Sequence, residues 1–98
     1  MMNNLSKKIN NLMLSAQSSK ENRNLTLALD YLNEALKLDP NNKKALNNIG
    51  NVYKEMKNFD KAVDYYSSAI KLDPNYLISK INLAILNHDL GNLESAEK

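Results

Sequence analysis

Side chains able to do acid–base, nucleophilic or metal chemistry are few in this chain, and they are scattered. Among 98 residues there is one histidine, His88, and no cysteine. Cysteine-ligated zinc, a thiolate nucleophile and a disulfide framework are therefore all excluded. His88 stands next to Asp89 near the end of an apolar segment and reads as a surface residue. No HExxH, GxSxG or phosphate-cradling glycine loop occurs. Asp39 and Asp73 each precede a proline within the same pentapeptide, KLDPN. Carboxylates that recur at equivalent positions of a repeat have a structural role there, not that of an acid/base pair. No cluster of oxygen or nitrogen ligands suggests a metal. The expectation is a protein with no catalytic residue, metal or cofactor.

The amides and ammonium groups are more numerous. Asparagine occurs 17 times, and 12 lysines face a single Arg23. That bias reads as a coding preference for A and T rather than as chemistry. The lysines are interleaved with Asp and Glu, and the net charge is only +2. A one-sided basic stripe for nucleic acid is therefore not expected.

The elements that must position these groups are helices. With two glycines and two prolines, the chain lacks the turn residues that a β-sandwich of this size needs every 8–12 positions. Pro40 and Pro74 lie 34 residues apart, and DYLNEALKLDPN at 30–41 recurs as DYYSSAIKLDPN at 64–75. A fixed period of this length marks stacked helical repeats. Ala62, Tyr65, Tyr66, Ala69 and Ile70 form one 3.6-residue stripe, and Ala28, Tyr31, Leu32, Ala35 and Leu36 form another. Each ends at Leu-Asp-Pro, where proline disfavours further helix. The spacing predicts helices at about 8–21, 26–38, 43–56, 60–72 and 77–90. Gly91-Asn92 is read as a stop signal, with a sixth helix starting near Glu94. The start MMNNLSKK imitates a signal peptide, but Asn10 and Asn11 break its apolar segment. No run approaches the ~18 apolar residues of a membrane span, so a cytoplasmic location is expected.

The middle unit, 43–76, reads Leu46-x2-Ile49-Gly50-x2-Tyr53, then Ala62-x3-Tyr66, then Pro74. It resembles the tetratricopeptide repeat, whose pattern is W-x2-L-G-x2-Y, A-x3-F and P. Residues 9–42 are a first copy with a degenerate opening helix. Residues 77–98 are a truncated third copy (first helix plus the start of a second), and 1–8 are a lead. The resemblance implies an all-α solenoid, a right-handed superhelix whose first helices line a concave groove. Gly50 and Ala62 are expected to let the two helices of a hairpin approach closely, with Tyr53 and Tyr66 filling the space beside them.

The groove is where the resemblance places a site. Members that grip acidic chaperone tails use a Lys/Asn/Asn/Lys/Arg clamp. The matching positions here are Met13, Gln17, Asn48, Ile78 and Asn82, of which Asn48 alone agrees, so that clamp is not expected. Asn48 and Asn82, 34 apart, fit instead the asparagine ladder with which family members hold a peptide backbone, since an amide both donates and accepts. Asn51, Lys44, Asn47 and Lys54 complete the expected peptide-binding face together with Gln17 and Met13. Ile78, Ile81 and Ile85 make the third first helix apolar nearly all round. They are expected to serve as an apolar floor or to bring two copies together through 77–90. The expected function is a non-catalytic protein–protein interaction scaffold taking a peptide or partner segment in that groove. The alternatives are a repeat segment of a larger enzyme that presents substrate to a catalytic domain, and a self-associating structural module.

Overall fold

The computed structural model describes residues 3–97, with side chains from 3 to 91. Five helices follow one another: α1 Asn4–Glu21, α2 Leu25–Leu38, α3 Lys43–Glu55, α4 Phe59–Leu72 and α5 Leu77–Glu97. Asparagine starts the first four. The side chains of Asn3, Asn24, Asn42 and Asn58 accept from the backbone N–H three residues on, which satisfies a donor that a helix start leaves orphaned. The abundance of asparagine thus has a structural use at these sites, where composition had suggested only a coding bias.

The two hairpin turns are copies of each other. Arg23 and Lys57, 34 residues apart, take positive φ of 67° and 64°. At the first turn, Asn24 N–H bonds Ser19 C=O and Arg23 N–H bonds Lys20 C=O. At the second, Asn58 N–H bonds Tyr53 C=O and Lys57 N–H bonds Lys54 C=O. This is the Schellman arrangement with a left-handed residue closing the helix. The next residue, Asn24 or Asn58, then caps the following helix.

Within each unit α1 packs on α2 and α3 on α4, while α2 against α3 and α4 against α5 join successive units. Ala28, Ala35, Ala62 and Ala69 have no exposed surface, so the second helices press small side chains against their neighbours. One core gathers Ala16, Ala28, Leu32, Ile49 and Val52; a second gathers Ala62, Tyr66 and Leu86. Tyr53 packs against both and stacks on Tyr65 at 5.6 Å. The outcome is a slab of 54 × 31 × 17 Å, longer in one direction as a row of repeats must be.

Gly50 meets the expectation of a close crossing. A Cβ built on it would lie 2.7 Å from Cδ1 and Cε1 of Tyr66, whose side chain is wholly buried. The pentapeptide aspartate is also structural: Asp73 ends α4, accepts from Asn75 N–H and pairs with Lys43 at the start of α3. That pairing, helped by the backbone bond, holds the Asp73 carboxyl below its usual range. Lys43 also lies 5.0 Å from the centroid of the Tyr76 ring.

Two boundaries differ from the sequence expectation. α1 starts at Asn4 rather than near residue 8, because Asn3 supplies a cap. α5 does not stop at Gly91-Asn92, and no new helix starts near Glu94; the helix runs unbroken to Glu97. Gly91 is the register equivalent of Arg23 and Lys57, yet it keeps a negative φ. The two earlier reversals are held by a second helix that packs back and buries Ala28 and Leu32, or Ala62 and Tyr66. Among the described residues, no atom beyond its chain neighbours and its own helix backbone lies within 4 Å of a Cβ position at Gly91, so no packing there rewards a reversal.

Candidate functional site

The first helices α1, α3 and α5 carry every residue expected to form a site. Their relation is fixed by the 34-residue register. Positions 13, 47 and 81 are equivalent, as are 17, 51 and 85, and 14, 48 and 82. Two seams result, α1 with α3 and α3 with α5, and they differ in chemistry.

The α3–α5 seam is polar and closed. Asn47 is only 4% exposed. Its Oδ1 accepts from the Ser79 hydroxyl at 2.7 Å and from Asn82 Nδ2 at 3.1 Å. Asn82 Nδ2 also reaches Asn51 Oδ1 at 3.5 Å, and the Tyr66 hydroxyl donates to that same oxygen. Burial first, and then the Glu55 carboxylate, push the Tyr66 phenol up to about 12. Asn47, Asn51 and Asn82, expected to hold a peptide, are thus bonded to one another or to Ser79 and Tyr66. Three helices are tied by one network, with no buried side-chain polar atom left unpaired among the described residues. The ladder of Asn48 and Asn82 does not form two equal rungs. Ser79 is the partner that sequence reasoning missed. Its signal was a hydroxyl at the register position of the buried Ala45.

The α1–α3 seam is open by contrast. Asn48 is half-buried and makes no side-chain hydrogen bond among the described residues. With Ala16, Gln17, Lys20, Leu32 and Val52 it lines a recess of about 10 Å³, room for about one water and no ligand body. Gln17, the equivalent of Asn51, donates to Glu21 at 3.0 Å instead of to Asn48. Lys20 lies 3.7 Å from Glu55 across the seam. Met13 is half-buried against the first core. Lys44 is exposed and Lys54 half-buried, and both carry their charge on the same helix as Asn48.

The isoleucines stand apart from these groups. Ile78, Ile81 and Ile85 are 55%, 49% and 46% exposed, although a helix apolar on most faces is expected to be buried. Leu86, on another face of α5, is buried against Ala62 and Tyr66. His88 is exposed. No group of three or more His, Cys, Asp or Glu among the described residues could hold a metal ion, and no described helix is long and apolar enough to cross a membrane.

Comparison with known proteins agrees with this geometry. Tetratricopeptide repeat profiles match residues 9–42 and 44–76, more than half of the chain between them. No curated protein matches significantly. Among solved structures, 68 chains match. One of them, a mutant O-GlcNAc transferase from Thermobaculum terrenum, has a TM-score of 0.78 and 22% identity over 88% of this chain. The present chain covers 16% of that one, and the likeness is one of fold. The repeated turns, the Gly50–Tyr66 crossing and the two matched units make the chain a member of the tetratricopeptide repeat family.

Proposed function

We propose that the chain is a non-catalytic module that binds an extended segment of a partner protein across α1 and α3, with Asn48 as the group that holds the partner's backbone. Repeats of this family generally mediate protein–protein interaction. The observation that carries the reading here is the difference between the two seams. The amides of the α3–α5 seam are spent on the fold, whereas Asn48 keeps both its donor and its acceptor for a peptide group. Gln17 and Met13 flank it on α1, and Lys44 and Lys54 offer charge on α3. A peptide laid there gains main-chain hydrogen bonds at Asn48 and favourable contacts for acidic side chains at the lysines.

Selection from a displayed peptide library, repeated on Asn48→Ala, tests this. The reading predicts enrichment of a shared motif with acidic positions, whose binding weakens roughly tenfold or more in Asn48→Ala, as loss of a hydrogen bond worth about 1.5 kcal/mol would give. Equal binding by Asn48→Ala, or no enrichment with wild type, would overturn it.

A further inference from the structure

The register also says what should lie on the isoleucine face of α5. In α3, the equivalent residues Asn47 and Asn51 face the next first helix and contact Ser79 and Asn82. Ile81 and Ile85 hold those positions in α5, so a first helix is the element that fits this face. Its contacting residues would be the equivalents of Ser79 and Asn82. On α1 these are Asn11 and Leu14. Leu14 is 68% exposed, the highest value among the exposed large hydrophobics of the described residues. Its counterparts Asn48 and Asn82 are both half-buried against a preceding first helix. The internal seam pairs amide with amide. The outer faces of α5 and α1 carry exposed apolar side chains at those same positions, Ile81 and Ile85 on α5 and Leu14 on α1. The two faces complement each other in position and in character.

From this complementarity we infer that a second copy of the chain covers the face: α5 of one copy packs on α1 of the next, with Leu14 of the second entering the row formed by Ile78, Ile81 and Ile85 of the first. Such a contact is head to tail and does not close on itself, so association continues past the dimer as concentration rises. It is independent of peptide binding at Asn48, which lies on the other seam.

Sedimentation velocity over about 5–500 μM, a range suited to a small interface, tests it with three chains. Wild type should gain mass with concentration beyond that of a dimer. Leu14→Asn blocks one end by importing the residue of Asn48 and Asn82. Ile81→Asn with Ile85→Asn blocks the other by importing those of Asn47 and Asn51. Each variant alone, with wild-type helicity by circular dichroism, should associate roughly ten- to a hundredfold more weakly, as loss of a buried leucine or isoleucine contact predicts. An equimolar mixture of the two should form a dimer and nothing larger, because one good end remains on each partner. Three results would each overturn the inference. One is a wild type that stays monomeric throughout. A second is a Leu14→Asn chain that dimerises as strongly as wild type, which would mean α5 pairs with α5. The third is a mixture that behaves as two separate monomers.

Discussion

The close crossing at Gly50 predicts opposite signs for the same substitution at the chain's two glycines. Alanine at Gly50 places a Cβ 2.7 Å from two ring carbons of Tyr66 and 3.2 Å from a third, where carbon atoms prefer about 3.5–4.0 Å. The ring has no exposed surface into which it could swing, and its hydroxyl is tied to Asn51. Overpacking of this kind costs about 1–3 kcal/mol, and a displaced phenol forfeits a hydrogen bond worth about 1 kcal/mol. The better helix propensity of alanine returns about 1 kcal/mol. Gly50→Ala should therefore lose about 1–3 kcal/mol. Gly91 is helical, and among the described residues no atom beyond its chain neighbours and its own helix backbone lies within 4 Å of its Cβ position, so Gly91→Ala should gain about 1 kcal/mol. By thermal melting followed by circular dichroism, a chain of this size moves about 4–8 °C per kcal/mol, Gly50→Ala downwards and Gly91→Ala upwards. The first repeat offers a repair. Ala16 and Leu32, the equivalents of Gly50 and Tyr66, share a core, so Gly50→Ala with Tyr66→Leu should be more stable than the two single losses added together. A Gly50→Ala chain that melts higher than wild type would refute the packing argument.

Other perturbations follow from the same structure. Lys57→Gly should raise stability by about 0.5–1 kcal/mol in urea unfolding, because the left-handed strain of a non-glycine residue exceeds the entropy that glycine adds to the unfolded chain. Asn58→Ala should lower it by about 1 kcal/mol through loss of the α4 cap. Asn47→Ala should cost about 1–3 kcal/mol by stranding the buried Ser79 hydroxyl, whereas Asn48→Ala should stay within about 0.5 kcal/mol of wild type. Equal melting temperatures for these two would contradict the contrast between the seams. Tyr66 has a folded-state value raised from 10.0 to about 12, so its neutral form stabilises the fold fully below pH 10 and loses that contribution as pH rises towards 12. Burial also raises the Tyr76 phenol, so a tyrosinate absorbance titration should show the component near pH 12 in wild type and its loss in Tyr66→Phe.

Much of the fold was legible because the repeat states it twice. The stripes around Tyr66 and Leu32, the Leu-Asp-Pro stops and the Gly50 crossing all appear as residue types at a spacing. Local signals failed where packing had to reward them. Gly91-Asn92 carries the residues of a hairpin turn, but a turn forms when a returning helix buries its face, and α5 continues straight. The site was less legible than the fold. Helical period places Asn47, Asn51 and Asn82 on one face of their helices, yet it says nothing of whether a neighbour takes up their amides. That depended on Ser79 and the Tyr66 hydroxyl, which lie 32 and 15 residues away from Asn47 and Asn51 respectively. The asparagine caps were legible in principle, since Asn24 and Asn58 stand one period apart directly before helical stripes.

The central claim, that a partner segment lies across α1 and α3 with Asn48 at its centre, is tested most directly by nuclear magnetic resonance. A selected peptide would be titrated into the labelled chain while side-chain and backbone amide shifts are followed. The account predicts that the Asn48 side-chain amide moves most, with Gln17, Lys44 and Lys54 moving beside it and the Asn47 amide nearly still. Shifts concentrated on α2 and α4 with Asn48 unmoved would contradict it.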